Sequence, residues 1–74
     1  MDEQKIQTLI RRRLPDATVS VSGTGGKYAA TVVSAQFAGC SMVKRHRMVY
    51  AALQDEIQSG ELHALSIKAN TPDE

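Results

Sequence analysis

Ala17-Thr18-Val19-Ser20-Val21-Ser22 alternates apolar and hydroxyl side chains at period two, and Gly23-Thr24-Gly25-Gly26 then interrupts the run. That pattern describes a strand with one buried face, ended by residues that supply the positive φ angles of a hairpin. Tyr28 to Ala35, rich in Val, Thr, Ala and Tyr, reads as the return strand. Upstream, Asp2 and Glu3 favour a helix start, and Ile6, Leu9, Ile10 and Leu14 follow at helical spacing before Pro15, which predicts a helix from about Asp2 to Arg13. Downstream, a short connection over Phe37–Ser41 leads into a second helix over Val43–Gln58, with Val49, Leu53 and Ile57 on one face and Ser59-Gly60 at its end. Leu62–Asn70 alternates again, with His63, Leu65, Ile67 and Ala69 on one side and Ala64, Ser66 and Lys68 on the other.

The predicted order is therefore α-β-β-α-β, an α+β fold. A helical crossover between the second and third strands lets those two lie parallel, giving a three-stranded mixed sheet with both helices on one face. The chain has 74 residues, enough for a single domain over 1–74, and a domain of this size buries only ~60% of the surface its unfolded chain exposes. Such a thin core leaves little room for an enclosed small-molecule pocket of roughly 300 Å³ or more, which argues against an enzyme. Nine Lys and Arg nearly balance eight Asp and Glu for a net charge of +1, so any electrostatic recognition is local. No secretory leader is visible in Met1-Asp2-Glu3-Gln4-Lys5 and no apolar run reaches membrane length, so a cytoplasmic protein with no membrane partner is expected. The single cysteine, Cys40, cannot form an internal disulfide, which fits a reducing compartment. With only Cys40, His46 and His63 as soft ligands, the chain can supply part of a shared metal site and not an all-Cys/His site of its own.

Three features carry potential chemistry. Lys44-Arg45-His46-Arg47 opens the second helix, where cations oppose the macrodipole by ~0.3 to 1 kcal/mol each, so a phosphate or acidic partner would favour them. A solvated helix end is the commoner fate of such a run. Arg11-Arg12-Arg13 closes the first helix, where positive charge suits the dipole, and it would join the other run in one basic patch only if the fold brings the two together. His63 is the first strand residue after a glycine turn, at the rim of the sheet, where one ring nitrogen can point outward; a half-buried, satisfied histidine is the plainer reading. Cys40 lacks any recognised catalytic signature around it. The bare GxxG spacing of Gly23–Gly26 is no backbone clamp, because such clamps join two helices and this stretch joins two strands.

Val33-Ser34-Ala35-Gln36-Phe37-Ala38-Gly39, Arg45-His46-Arg47-Met48-Val49-Tyr50, Leu62-His63-Ala64-Leu65 and Thr71-Pro72 together resemble the BolA family, in order and over nearly the whole chain. The resemblance implies a class II KH-like fold containing a helix-turn-helix-like segment. It implies partnership with a monothiol glutaredoxin around a shared [2Fe-2S] cluster, with glutathione as a further ligand, in iron-sulfur trafficking or iron and stress regulation. His63 matches the family's C-terminal ligand. The family's other ligand, a His or Cys in the loop between strands one and two, is absent, since that loop offers only Gly23, Thr24, Gly25, Gly26 and Lys27; Cys40 is the substitute that composition offers. Phe37, Gly39, Lys44, Arg45, His46 and Arg47 are the expected partner or nucleic-acid surface. The alternative implied role is a DNA-binding transcriptional regulator, and alone the chain is expected to be a monomer or weak homodimer.

Overall fold

Thr24 faces Lys27 across a two-residue loop, Gly25-Gly26, and this turn sets the register of the sheet. Both glycines have positive φ, 62° and 80°, as a tight hairpin turn matching the strand twist requires. The computed structural model describes residues 1–74. Its elements are α1 (Glu3–Arg13), β1 (Thr18–Thr24), β2 (Lys27–Val33), a 3₁₀ turn (Ala35–Phe37), α2 (Met42–Ala52), α3 (Gln54–Ser59) and β3 (Ala64–Asn70). The first strand runs on through Gly23 and Thr24, past the break the glycine run predicts, because the loop needs only two of those residues.

The sheet order is β1-β2-β3, with β1 antiparallel and β3 parallel to the central β2. Register places Val19, Val32 and Ala69 in one row and Val21, Ala30 and Ile67 in the next. Alternation sends all six to the same face, where α1 contributes Ile6 and Ile10, Leu14 follows it, and α2 contributes Val49. Each fully buried Ile or Leu side chain is worth about 1.5–3 kcal/mol, and these layers are the core that a thin domain depends on. The opposite face carries Thr18, Ser20, Ser22, Lys27, Ala29, Ser66 and Lys68, all exposed.

The α+β architecture and mixed sheet agree with expectation, but the long second helix is two helices. Leu53 sits between them at φ −118°, ψ 16°, and its N–H reaches back three residues to Tyr50 O instead of four. That tightened turn drives Leu53 fully into the core and rotates α3 relative to α2. Ile57, predicted to share the face of Val49 and Leu53, is consequently 40% exposed.

Asp2 caps α1 by accepting the Lys5 N–H at 2.7 Å. Asp16 accepts from the buried Ser34 hydroxyl at 2.9 Å and from the Ala35 N–H at 2.9 Å, which ties the start of β1 to the end of β2. No helix is long and apolar enough to cross a membrane.

Candidate functional site

Because β3 runs parallel to β2, its first residue lies beside the β1–β2 turn. His63 directly precedes β3, and its N–H donates to Gly26 O at 2.7 Å, with the Ala64 N–H sharing the same carbonyl at 3.1 Å. The imidazole lies over Gly26: a Cβ there would run into His63 Cδ2. Gly26 is thus glycine for two reasons, its left-handed backbone and the ring above it. The ring is exposed and borders a shallow groove of about 190 Å³ formed with Tyr50, Ile57, Leu62, Ala64 and Leu65. A groove this small encloses no drug-sized ligand and suits contact with a larger surface. Tyr50, 40% exposed, is held there by donating its hydroxyl to Leu65 O at 3.1 Å.

The other end of the sheet is built differently. Arg45, predicted to lie on the binding surface, is only 7% exposed and is fully engaged by the protein itself. Its Nε donates to Cys40 O at 3.1 Å, one terminal nitrogen to Ala69 O at 3.1 Å and Glu74 Oε1 at 2.6 Å, and the other to Glu74 Oε2 at 3.0 Å. Its guanidinium lies 5.9 Å from the centroid of the Phe37 ring. This bidentate pair, with the Thr71 N–H as a further donor, holds the Glu74 carboxyl at about 2, well below its ordinary 4.5, and raises Arg45 above the usual guanidinium range. Phe37 is wholly buried. Both residues therefore leave the predicted docking surface: the ring fills the core and the guanidinium closes over it, satisfying backbone carbonyls that would otherwise be orphaned.

Cys40 is partly buried at this same end, its thiol 3.7 Å from Gln36 O. One guanidinium touches both Cys40 O and Ala69 O, so Cys40 lies near the end of β3 while His63 lies at its start. The stretch from Ala64 to Ala69 spans about 17 Å at ~3.3 Å per residue. Cys40 and His63 are too far apart to bind one compact cluster on the same chain, so Cys40 does not stand in for the missing ligand beside His63. No group of three His, Cys, Asp or Glu side chains comes together as a metal site.

Of the remaining predicted surface, Lys44, Arg47 and Gly39 are exposed and His46 is half-buried. Lys44 and Arg47 line a cleft of about 550 Å³ with Ser41, Val43, Met48, Ala51 and Arg13. The two basic runs do meet in space, through Arg13, but without Arg45. The Ser41 side chain accepts the Lys44 N–H at 3.1 Å, so the α2 start is already capped. The sequence signal for Arg13 was present but masked, because a cation at a helix C-terminus has a sufficient local explanation.

Residues 9–74 match the family profile described as BolA-like protein. The chain belongs to the BolA family. Among BolA relatives, the acid stress protein IbaG of Escherichia coli K12 is 38% identical over 74 residues, covering 100% of this chain and 88% of that one. The BolA homologue of Coxiella burnetii superposes with a TM-score of 0.87 at 38% identity, covering 99% of this chain and 94% of that one. The BolA domain of SufE1 from Arabidopsis thaliana does so at 0.82 and 39% identity, covering 96% of this chain and 92% of the domain.

Proposed function

We propose that this BolA-family chain is a non-enzymatic cytoplasmic module that shares a [2Fe-2S] cluster with a monothiol glutaredoxin and glutathione in iron-sulfur trafficking or iron and stress regulation. The observation that carries it is the exposed His63 imidazole, fixed over Gly26 by its own backbone N–H and flanked by an apolar contact groove, with no second ligand nearby. A cluster of this kind needs four ligands: a partner thiolate, a glutathione thiol and His63 make three, and the fourth position falls to a further glutathione or a water. When bound, the cluster supplies one-electron chemistry and transferable iron and sulfide; an imidazole in place of thiolate raises its potential. The name of the E. coli relative makes acid stress a natural condition in which to look for a phenotype.

The test is anaerobic titration of the protein into a monothiol glutaredoxin carrying cluster and glutathione, followed by visible circular dichroism. Wild type and Cys40→Ser are expected to change the spectrum equally, and His63→Ala not at all. A wild-type response unchanged in His63→Ala would remove the histidine from the site.

The second reading, DNA binding, is favoured by the cleft that unites Arg13, Lys44 and Arg47. It is weakened at the helix after it: α3 carries Asp55 and Glu56 and no cation. If three phosphates are neutralised, log affinity for duplex DNA falls with log salt at a slope of about −2.7. A flat salt response would exclude it.

A further inference from the structure

The two edges of the sheet are finished in opposite ways. Along the outer edge of β3, α2 side chains satisfy the backbone: Tyr50 donates to Leu65 O and Arg45 to Ala69 O. Along β1, the two-residue turn fixes which groups face outward. Thr24, Ser22, Ser20 and Thr18 exchange bonds with β2, so Gly23, Val21 and Val19 turn theirs away from the sheet. Gly23 confirms the parity, since its outward N–H is taken by Glu3 Oε2 at 3.1 Å. Just before the strand, the Ala17 N–H is taken by Leu14 O at 3.0 Å. Between these two latches, no side chain bonds the backbone of Val19 or Val21. Thr18–Thr24 contains no charge and no proline, the devices that ordinarily blunt an edge.

We propose that a second copy of this chain pairs with that edge, β1 antiparallel to β1 about a two-fold axis at Ser20. This register matches Val19 of each copy with Val21 of the other, and each pair exchanges both of its N–H···O bonds. The next outward positions on either side, Ala17 and Gly23, have N–H groups already latched internally, so the pairing stops there of itself. The half-buried Val21 gains cover against Val19 of the second copy, on the helix side of the sheet.

Charge selects the same arrangement. α1 runs antiparallel to β1, since Glu3 sits at Gly23 while Leu14 sits at Ala17. The two-fold therefore sets the acidic start of one α1, Asp2-Glu3, beside the Arg11-Arg12-Arg13 end of the other, with the two macrodipoles opposed. The product is a continuous sheet of twice the three strands of one copy. It leaves His63 untouched, beyond β2 from this edge, and reaches the Lys44–Arg47 cleft only through Arg13.

Ser20 faces itself across the axis as a non-bonded pair, where Cα atoms lie ~4.5 Å apart, within disulfide range. In a Cys40→Ser background, Ser20→Cys is expected to oxidise to a covalent dimer about tenfold faster than Ser66→Cys, which lies on the same exposed face but on β3. Sedimentation equilibrium of the wild type is expected to show concentration-dependent dimer, and Ser20→Lys to raise its dissociation constant about tenfold or more while leaving the thermal melt unchanged at dilutions where both proteins are monomeric. Equal oxidation rates, a strictly monomeric wild type, or a dimer indifferent to Ser20→Lys would each overturn the proposal. His63→Ala is expected to dimerise normally, so loss of the cluster reading and loss of this one are separately visible.

Discussion

The two ends of the sheet divide the work of the molecule. The end near Cys40 holds the residues that look most chemical in sequence, a thiol, an arginine and an aromatic ring, and the fold consumes them: Phe37 is buried, and Arg45 is bound to Phe37, Cys40, Ala69 and Glu74. The end near the hairpin holds one histidine above a glycine turn, and that imidazole is left outward with nothing on its own chain to bind. Density of reactive side chains is thus a poor guide to a site in a domain with so small a core. A charged residue that satisfies several carbonyls is as structural as a leucine, whereas a polar group held in place but left unsatisfied is available to a partner.

Arg45→Ala is the most damaging way to test that division. It strips donors from two backbone carbonyls and from Glu74, so thermal unfolding should shift further downward than for any other single charge removal, with Arg45→Lys failing to restore the bidentate pair. A melt like that of Lys44→Ala would place Arg45 back on the surface.

Gly26→Ala attacks the opposite end. Left-handed backbone alone costs a non-glycine residue about 1–2 kcal/mol, and the new methyl also pushes the His63 ring aside. Stability should fall modestly by chemical denaturation, and the glutaredoxin-dependent spectrum should weaken more than stability does. Equal losses would mean that Gly26 serves the turn and not the histidine.

The smallest effect is in acid. Glu74 falls to about 2 in the folded chain from an ordinary 4.5, so its pairing contributes fully above 4.5 and is lost as pH drops toward 2. Melting temperature plotted from pH 5 to pH 2 should decline more steeply for wild type than for Glu74→Gln, which starts lower. Parallel curves would show that the pair contributes nothing, as many partly exposed ion pairs do.

Much of the fold is legible in the chain alone. Period-two alternation in Ala17–Ser22 and Leu62–Asn70 finds the outer strands and the buried face of each, because strand side chains depend only on their neighbours' parity. The placement of His63 is nearly as local: read as the first residue of the third strand, it lies one residue before it. The break at Leu53 is not, since Val49, Leu53 and Ile57 keep perfect helical spacing and only the shape of the core decides which of them it admits. Nor is the fate of Arg45 and Arg13. One lies in a basic run and is buried; the other lies in a run with a sufficient local explanation and reaches a cleft shared with Lys44 and Arg47.

By itself, then, the sequence determined the order of the strands and the helical regions between them, the faces of the strands, the family, and a set of Cys and His side chains too small to hold a cluster alone. The tertiary structure decided which residues could meet. Parallel pairing of β2 with β3 put His63 over Gly26 and a strand's length away from Cys40. Side chains far apart in the chain acquire their distance from such pairings, and no periodicity along one segment contains that information.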